Sequence, residues 1–289
     1  MQEVLRKLAE RLGPQDGEPV ALDGGITNRN YRVSFGGRDH VIRLCGRETE
    51  LLGIDRAAER EAGEAAFDAG VGPEVVAWLE EEGGCLVTAF VAGQALEPAD
   101  VRADVARVAQ ALRDVHHAHR VHATFSPFEM GGRYRDLVLG RGGTLPERAD
   151  EAQAVAGQIR DALPPYKPVL CHNDLLPANL LDDGDRLWIV DWEYAGMGDP
   201  FFDLGNLSVN NAFDEHEDAE LVHAYCGGAE PELARVRLMR AASDYREGMW
   251  GAVQTVLSDL DFDFAGYAEE HLGRMLDSDW EDWVDAAAT

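Results

Sequence analysis

Between Val169 and Trp192 the chain reads VLCHNDLLPANLLDDGDRLWIVDW: two strand-like apolar runs flank a loop holding His172, Asn173, Asp174 and Asn179, and Asp191 follows the second run. Polar groups at the tips of buried strands cost roughly a few kcal/mol each if left unpaired. A fold that keeps them ties them to backbone or uses them on something charged. Asp174 and Asn179 are five residues apart, and the turn DDGD folds the second run back so that Asp191 returns beside Asn179. An amide oxygen and a carboxylate are hard donors of the kind that hold Mg²⁺ on nucleotide phosphates. Asp174, one loop earlier, stays clear of such a metal and is placed to orient a hydroxyl. Together the three residues form the layout of phosphoryl transfer.

The rest of the chain divides by pattern. Val4, Leu5, Leu8 and Leu12 recur at helical spacing until Gly13-Pro14 stops them. PVAL, NYRVSFG and HVIRLCG read as strands, the last two joined at Gly36-Gly37, and IDRAAEREAGEAAFDAG as a helix closed by Gly70. Two more strands flank Gly83-Gly84. This predicts a bilobed α+β protein: a small β-rich lobe over residues 1–90 and a larger, mostly helical lobe over 91–289, with the crossover near Thr88 to Gly93. Helical patterns in the second lobe cover about 97–119, 147–163, 217–226, 231–258 and 263–285.

Charge narrows the partners. The chain has 54 acidic and 26 basic residues, a formal net charge of −28, and Lys7 and Lys167 are its only lysines. Such a field repels nucleic acid and anionic membranes and favours a cationic small molecule, although acid-rich, lysine-poor surfaces also suit solubility at high salt. Cys45, Cys85, Cys171 and Cys226 are dispersed without ligand spacing, no apolar run approaches the ~20 residues of a membrane span, and the amphipathic N-terminus is not a signal peptide. A cytoplasmic protein is expected. His116, His117 and His119 do not share a helix face, so with His122 they read as structural histidines and not as a metal cluster.

CHNDLLPANLL with IVDWEYAG resembles the choline kinase and aminoglycoside phosphotransferase superfamily, and is most similar to its bacterial choline kinase-like proteins. The resemblance implies a protein-kinase-like fold that uses ATP and Mg²⁺, with Asp174 as the base and Asn179 and Asp191 as metal ligands. GMGDPFFDLGNL follows Asp191 with no long activation segment between, which favours a small-molecule acceptor over a protein. In the first lobe DGGITNRNYRV resembles the GG-x-T-N-x-N-Y stretch of choline-kinase-like proteins, which implies that Gly24, Gly25, Thr27, Asn28 and Asn30 lie over the phosphates. Arg43 stands where kinases place a phosphate-pairing lysine, and arginine binds phosphate oxygens bidentately. Glu59 is its candidate ion-pair partner, with Glu61 and Glu64 as competitors. The resemblance also places adenine against backbone from Ala89 to Val91. His172 is expected to prop the loop, Asp203 to tie it by accepting backbone N–H groups, and His116, closing LRDVH, to be structural.

SDYREGMWGAVQ is similar to the bacterial choline kinase segment in which an aromatic-bearing helix forms part of the choline pocket by cation–π attraction. Trp250 matches the aromatic residue before xxVQ. Glu247 stands where the family often has a second tryptophan, which suits a primary amine or another cation. Tyr245 and Glu193 complete the acceptor-side candidates, with Tyr194 and Trp192 secondary. The expected activity is ATP-dependent transfer of the γ-phosphoryl group to the hydroxyl of choline or a related amino alcohol. The alternatives are a kinase of another hydroxylated amine, such as an aminoglycoside or thiamine, and a non-catalytic kinase-like binding module. The last would be expected to lack at least one of Asp174, Asn179 and Asp191.

Overall fold

Alternating side chains build the first lobe in this computed structural model, which describes residues 1–22, 28–46, 48–80, 84–228 and 230–287. Helix α1 (Gln2–Leu12) is followed by strands β1 (Gln15–Leu22), β2 (Arg29–Phe35) and β3 (Arg38–Leu44), then helix α2 (Arg56–Asp68), β4 (Val75–Leu79) and β5 (Cys85–Ala89). The antiparallel sheet has the order β1-β2-β3-β5-β4. Val33, Phe35, Ile42 and Val87 pack on one face, covered by Val4 and Leu8 of α1. Val41 and Arg43, in register with Thr88 and Leu86, face the other way and line the cleft between the lobes. Gly36 and Gly37 both take positive φ in the expected hairpin turn. Asp55 caps α2 by accepting from the Ala57 and Ala58 N–H groups, and Gly70 ends it with φ 79. β1 begins before the predicted PVAL, reaching back to Gln15 through a register shift between Asp16 and Val20.

The second lobe continues with β6 (Gln94–Ala95), α3 (Pro98–Ala103), α4 (Val105–His116), α5 (Pro127–Gly140) and α6 (Ala149–Ala162). Four short strands follow: β7 (Val169–Cys171), β8 (Leu180–Asp182), β9 (Leu187–Ile189) and β10 (Gly196–Gly198). Helices α7 (Pro200–Asn210), α8 (Glu215–Cys226), α9 (Glu230–Leu257), α10 (Phe264–Leu276) and α11 (Trp280–Ala287) complete it. α9 is the axis, packed by α5, α7, α10 and α11, and every residue from Ala241 to Gln254 is buried. Gly205 lets α7 close on α9: a Cβ there would stand 2.6 Å from the Met239 carbonyl carbon. The observed architecture is the predicted bilobed α+β one.

Several details differ from the sequence pattern, among them the stretch expected at 97–119, which is two helices, α3 and α4, broken at Asp104. α5 was hidden by Gly131-Gly132, and Gly131 is small because the Tyr245 ring lies against it. α7 was hidden because every residue from Phe201 to Val209 is buried, Asp203 and Asn206 included, so no polar face shows in the sequence. The single stretch expected at 263–285 is two helices: the chain turns at Asp277 to Asp279, where the Asp279 carboxylate accepts from Arg237 of α9 at 3.0 and 3.1 Å. Among the described residues no helix is long and apolar enough to cross a membrane.

Candidate active site

β7 delivers the chain to the loop at His172, and a 3₁₀ turn at Pro177–Asn179 returns it to β8. The fully buried Asp203 of α7 holds this loop: Oδ2 accepts the His172 N–H at 2.8 Å and pairs with His116 Nε2 at 3.0 Å, and Oδ1 accepts the Asn173 N–H at 2.8 Å. Asn206 Oδ1 accepts the Leu175 N–H at 2.5 Å. Burial lowers the His172 pKa, and the neutral ring accepts the Asp174 N–H at Nδ1 (3.2 Å) while Nε2 donates to the Val190 carbonyl at 2.9 Å. Asn173 sits at φ 68, a left-handed conformation unusual outside glycine, and its side chain donates to the Tyr194 carbonyl at 2.9 Å. Such backbone persists where its surroundings over-determine it, as they do here. His116, His172 and Asp203 therefore take the scaffold positions expected of them.

The hairpin closes as its spacing requires. The Val190 N–H donates to the Asn179 carbonyl at 3.0 Å, which brings Asp191, also at φ 68, beside Asn179. Asn179 Nδ2 donates to the Asp174 carbonyl at 2.8 Å, leaving Oδ1 for another partner. Asp191 Oδ1 accepts from Arg43 Nη1 at 2.6 Å, leaving Oδ2. An amide oxygen and a carboxylate oxygen on one rim of a cleft fit Mg²⁺. Asp174 is pushed up to about 7 by burial, with Glu247 and Asp191 adding to the effect and Arg246 opposing it.

Arg43 ties the lobes together. The same Nη1 reaches Glu59 Oε1 at 2.8 Å, so Glu59 is its partner on α2. Glu61 instead meets His122 Nδ1 at 2.8 Å, and Glu64 pairs with Arg60 at the surface. Burial opposes the charge on Arg43, but Asp191, Glu59 and Glu193 raise its pKa above the ordinary value. Arg56, which sequence reading passed over, joins Glu59 (2.7 Å), Glu193 (3.3 Å) and Asn28 Oδ1 (2.9 Å), and Asn28 Nδ2 donates to Glu193 at 2.7 Å. Asn28 thus binds a carboxylate of the opposite lobe. Burial and Asp191 push Glu193 up to about 7.

The cleft holds about 680 Å³, with Asn30, Ala89 and Val91 on its sheet side and hinge. Gly24, Gly25 and Thr27 lie outside the described residues. Arg246, Glu247, Trp250 and Tyr267 of the helical lobe line the cleft. Arg246 is buried; Nη2 donates to the Asn173 carbonyl at 2.7 Å and reaches Asp174 Oδ1 at 3.3 Å, while Nη1 lies 2.8 Å from Glu247 Oε1. The Tyr267 hydroxyl donates to Glu247 Oε2 at 3.0 Å, and Trp250 Nε1 donates to the Tyr194 hydroxyl at 3.0 Å. Trp192, Glu193 and Tyr194 also line the cleft. Tyr245 does not: it is 2% exposed and packs on Gly131 of α5. One residue along a helix turns the side chain by ~100°, so Arg246 and Glu247 face the cleft and Tyr245 faces away. Arg246 and Tyr267 were not foreseen; the signal for Arg246 was a charge embedded in an otherwise buried helical stretch.

A profile described as "Phosphotransferase enzyme family" matches residues 18–239. A solved structure from Mesorhizobium loti, described as a choline/ethanolamine kinase family protein, superposes with a TM-score of 0.84 at 33% identity, covering 99% of this chain and 98% of that one. Protein LicA of Haemophilus influenzae is 28% identical over 220 residues, 72% of this chain and 62% of that protein. Ethanolamine kinase 1 of Mus musculus is 25% identical over 314 residues, 92% of this chain and 85% of that protein.

Proposed function

The chain belongs to the phosphotransferase enzyme family, and as its reaction we propose transfer of the γ-phosphoryl group of ATP to the hydroxyl of choline or a related amino alcohol. The carrying observation is that one cleft gathers Asp174, Asn179, Asp191 and Arg43 through linked hydrogen bonds. The names of the relatives support an amino alcohol as acceptor.

ATP enters between the lobes, with its adenine edge on the backbone of Ala89 and Val91. Arg43, held by Glu59, presents its guanidinium to the phosphates, with Asn30 in register beside it on the sheet side of the cleft. Asn179 and Asp191 would hold Mg²⁺, which supplies neutralisation of phosphate charge. Asp174 orients the acceptor hydroxyl and takes its proton as that oxygen bonds to the γ-phosphorus and ADP leaves. Arg246 fixes the Asp174 carboxylate. Positioning and charge compensation supply most of the rate, because the transition state is loose. Cys45, Cys171 and Cys226 are free thiols, which supports a reducing, cytoplasmic place for this chemistry.

The test is ADP release over choline, ethanolamine, thiamine and several aminoglycosides. Turnover is expected to be best with the amino alcohols. Turnover of aminoglycosides alone would replace the acceptor, and ATP binding without turnover of any compound would favour a binding module.

A further inference from the structure

We infer that Glu247 selects acceptors whose ammonium group carries at least one N–H over quaternary ones; this rests on the kinase reading above. Glu247 is 6% exposed and lines the acceptor end of the cleft. Its Oε2 accepts the Tyr267 hydroxyl at 3.0 Å. Its Oε1 lies 2.8 Å from Arg246 Nη1, but that N–H is out of line, and among the described residues no donor is aligned on it. Arg246 cannot readily turn to satisfy it, since Nη2 is fixed on the Asn173 carbonyl at 2.7 Å and beside Asp174 Oδ1 at 3.3 Å. A buried carboxylate oxygen without an aligned donor is costly until one arrives. An alkylammonium N–H supplies that donor. A quaternary ammonium has none, and its methyl groups keep the charge at a distance.

Asp174 and Glu247 sit on the two terminal nitrogens of one guanidinium, so Arg246 holds side by side the carboxylate that orients the hydroxyl and the one placed for the ammonium. Trp250 offers little open face for a trimethylammonium group. It is 7% exposed, with Tyr267 and Phe264 rings edge-on at 5.9 and 6.0 Å.

The experiment measures kcat/KM by ADP release for ethanolamine, its N-methyl and N,N-dimethyl derivatives, and choline. The wild type should turn over the three N–H-bearing amines (as their ammonium forms) at least about tenfold more efficiently than choline, with the break at the last methyl group. Glu247→Gln should shrink that ratio to about threefold or less, mainly through KM. Tyr267→Phe, which leaves the carboxylate in place, should keep it. If Glu247→Gln fails to fold, as judged by ATP binding, Glu247→Asp retracts the carboxylate and should shrink the ratio likewise. Choline used as well as or better than the amines overturns the inference and leaves the kinase reading standing. An unchanged ratio in the Glu247 variant that folds removes Glu247 from the selection. ATP binding without turnover of any amine overturns both readings.

Discussion

Asp203→Asn should loosen the loop beneath Asp174. The carboxylate is fully buried and serves three groups, the His172 and Asn173 N–H groups at 2.8 Å each and His116 Nε2 at 3.0 Å. Asparagine keeps the shape but turns one oxygen into an NH₂. If its remaining oxygen takes the His172 side, Asn173 N–H faces a donor; in the other orientation two groups lose their acceptor. One or two charge-assisted bonds at roughly 1.5–3 kcal/mol each, with a buried N–H left unpaired, give about 3–6 kcal/mol. That is a large part of a typical stability of ~5–15 kcal/mol and lowers the unfolding temperature on the order of 10 °C. Asn173, at φ 68, is the residue released, so Asp174 moves with it. A shift of ~1 Å costs about 100-fold in rate, so kcat should fall about 10- to 100-fold while ATP affinity changes little. Thermal unfolding without ligand, and ADP release at a temperature where both proteins are folded, measure the two effects. An unfolding temperature within about 2 °C of wild type together with unchanged kcat would refute the reasoning.

Arg43→Met should raise KM for ATP about tenfold or more, with Glu59 still held by Arg56 at 2.7 Å; steady-state kinetics against ATP checks it. Gly205→Ala would place a Cβ 2.6 Å from the Met239 carbonyl carbon and 2.7 Å from the Arg240 nitrogen. It should cost about 1–3 kcal/mol by denaturant unfolding. Hydrogen bonds to Glu61 and Asp55 raise the His122 pKa above 6.5. Its contribution to stability is therefore full below the unfolded value and lost as pH rises through the folded one. His122→Asn should lower the unfolding temperature more at about pH 6 than at about pH 9; an equal gap contradicts this.

The chemistry was more legible than the selectivity. Asp174, Asn179 and Asp191 are close in sequence and joined by one tight hairpin, so spacing alone brings them together. Arg43 and Glu59 followed from the resemblance to kinases, with Glu61 and Glu64 left as competitors until the packing of α2 chose between them. α9 resisted because neighbours surround it: with every residue from Ala241 to Gln254 buried, no polar stripe shows which side faces the cleft. Tyr245 was therefore placed on the wrong side and Arg246 missed. Arg56 and Tyr267 escaped for another reason, since their partners Glu193 and Glu247 lie far away in sequence. Contacts of that range are fixed by how the lobes and helices pack, which local pattern does not encode.

The most direct measurement is the rate of substrate-dependent ADP release by Asp174→Asn, read beside its ATP affinity. The amide keeps the shape, and the carbonyl that accepts from Asn179 at 2.8 Å belongs to the backbone, so the metal-side residues stay in place. With Asp174 as the group that takes the acceptor proton, release falls by about 10²–10⁴-fold and ATP binds nearly as before. Release within about twofold of wild type would contradict that role.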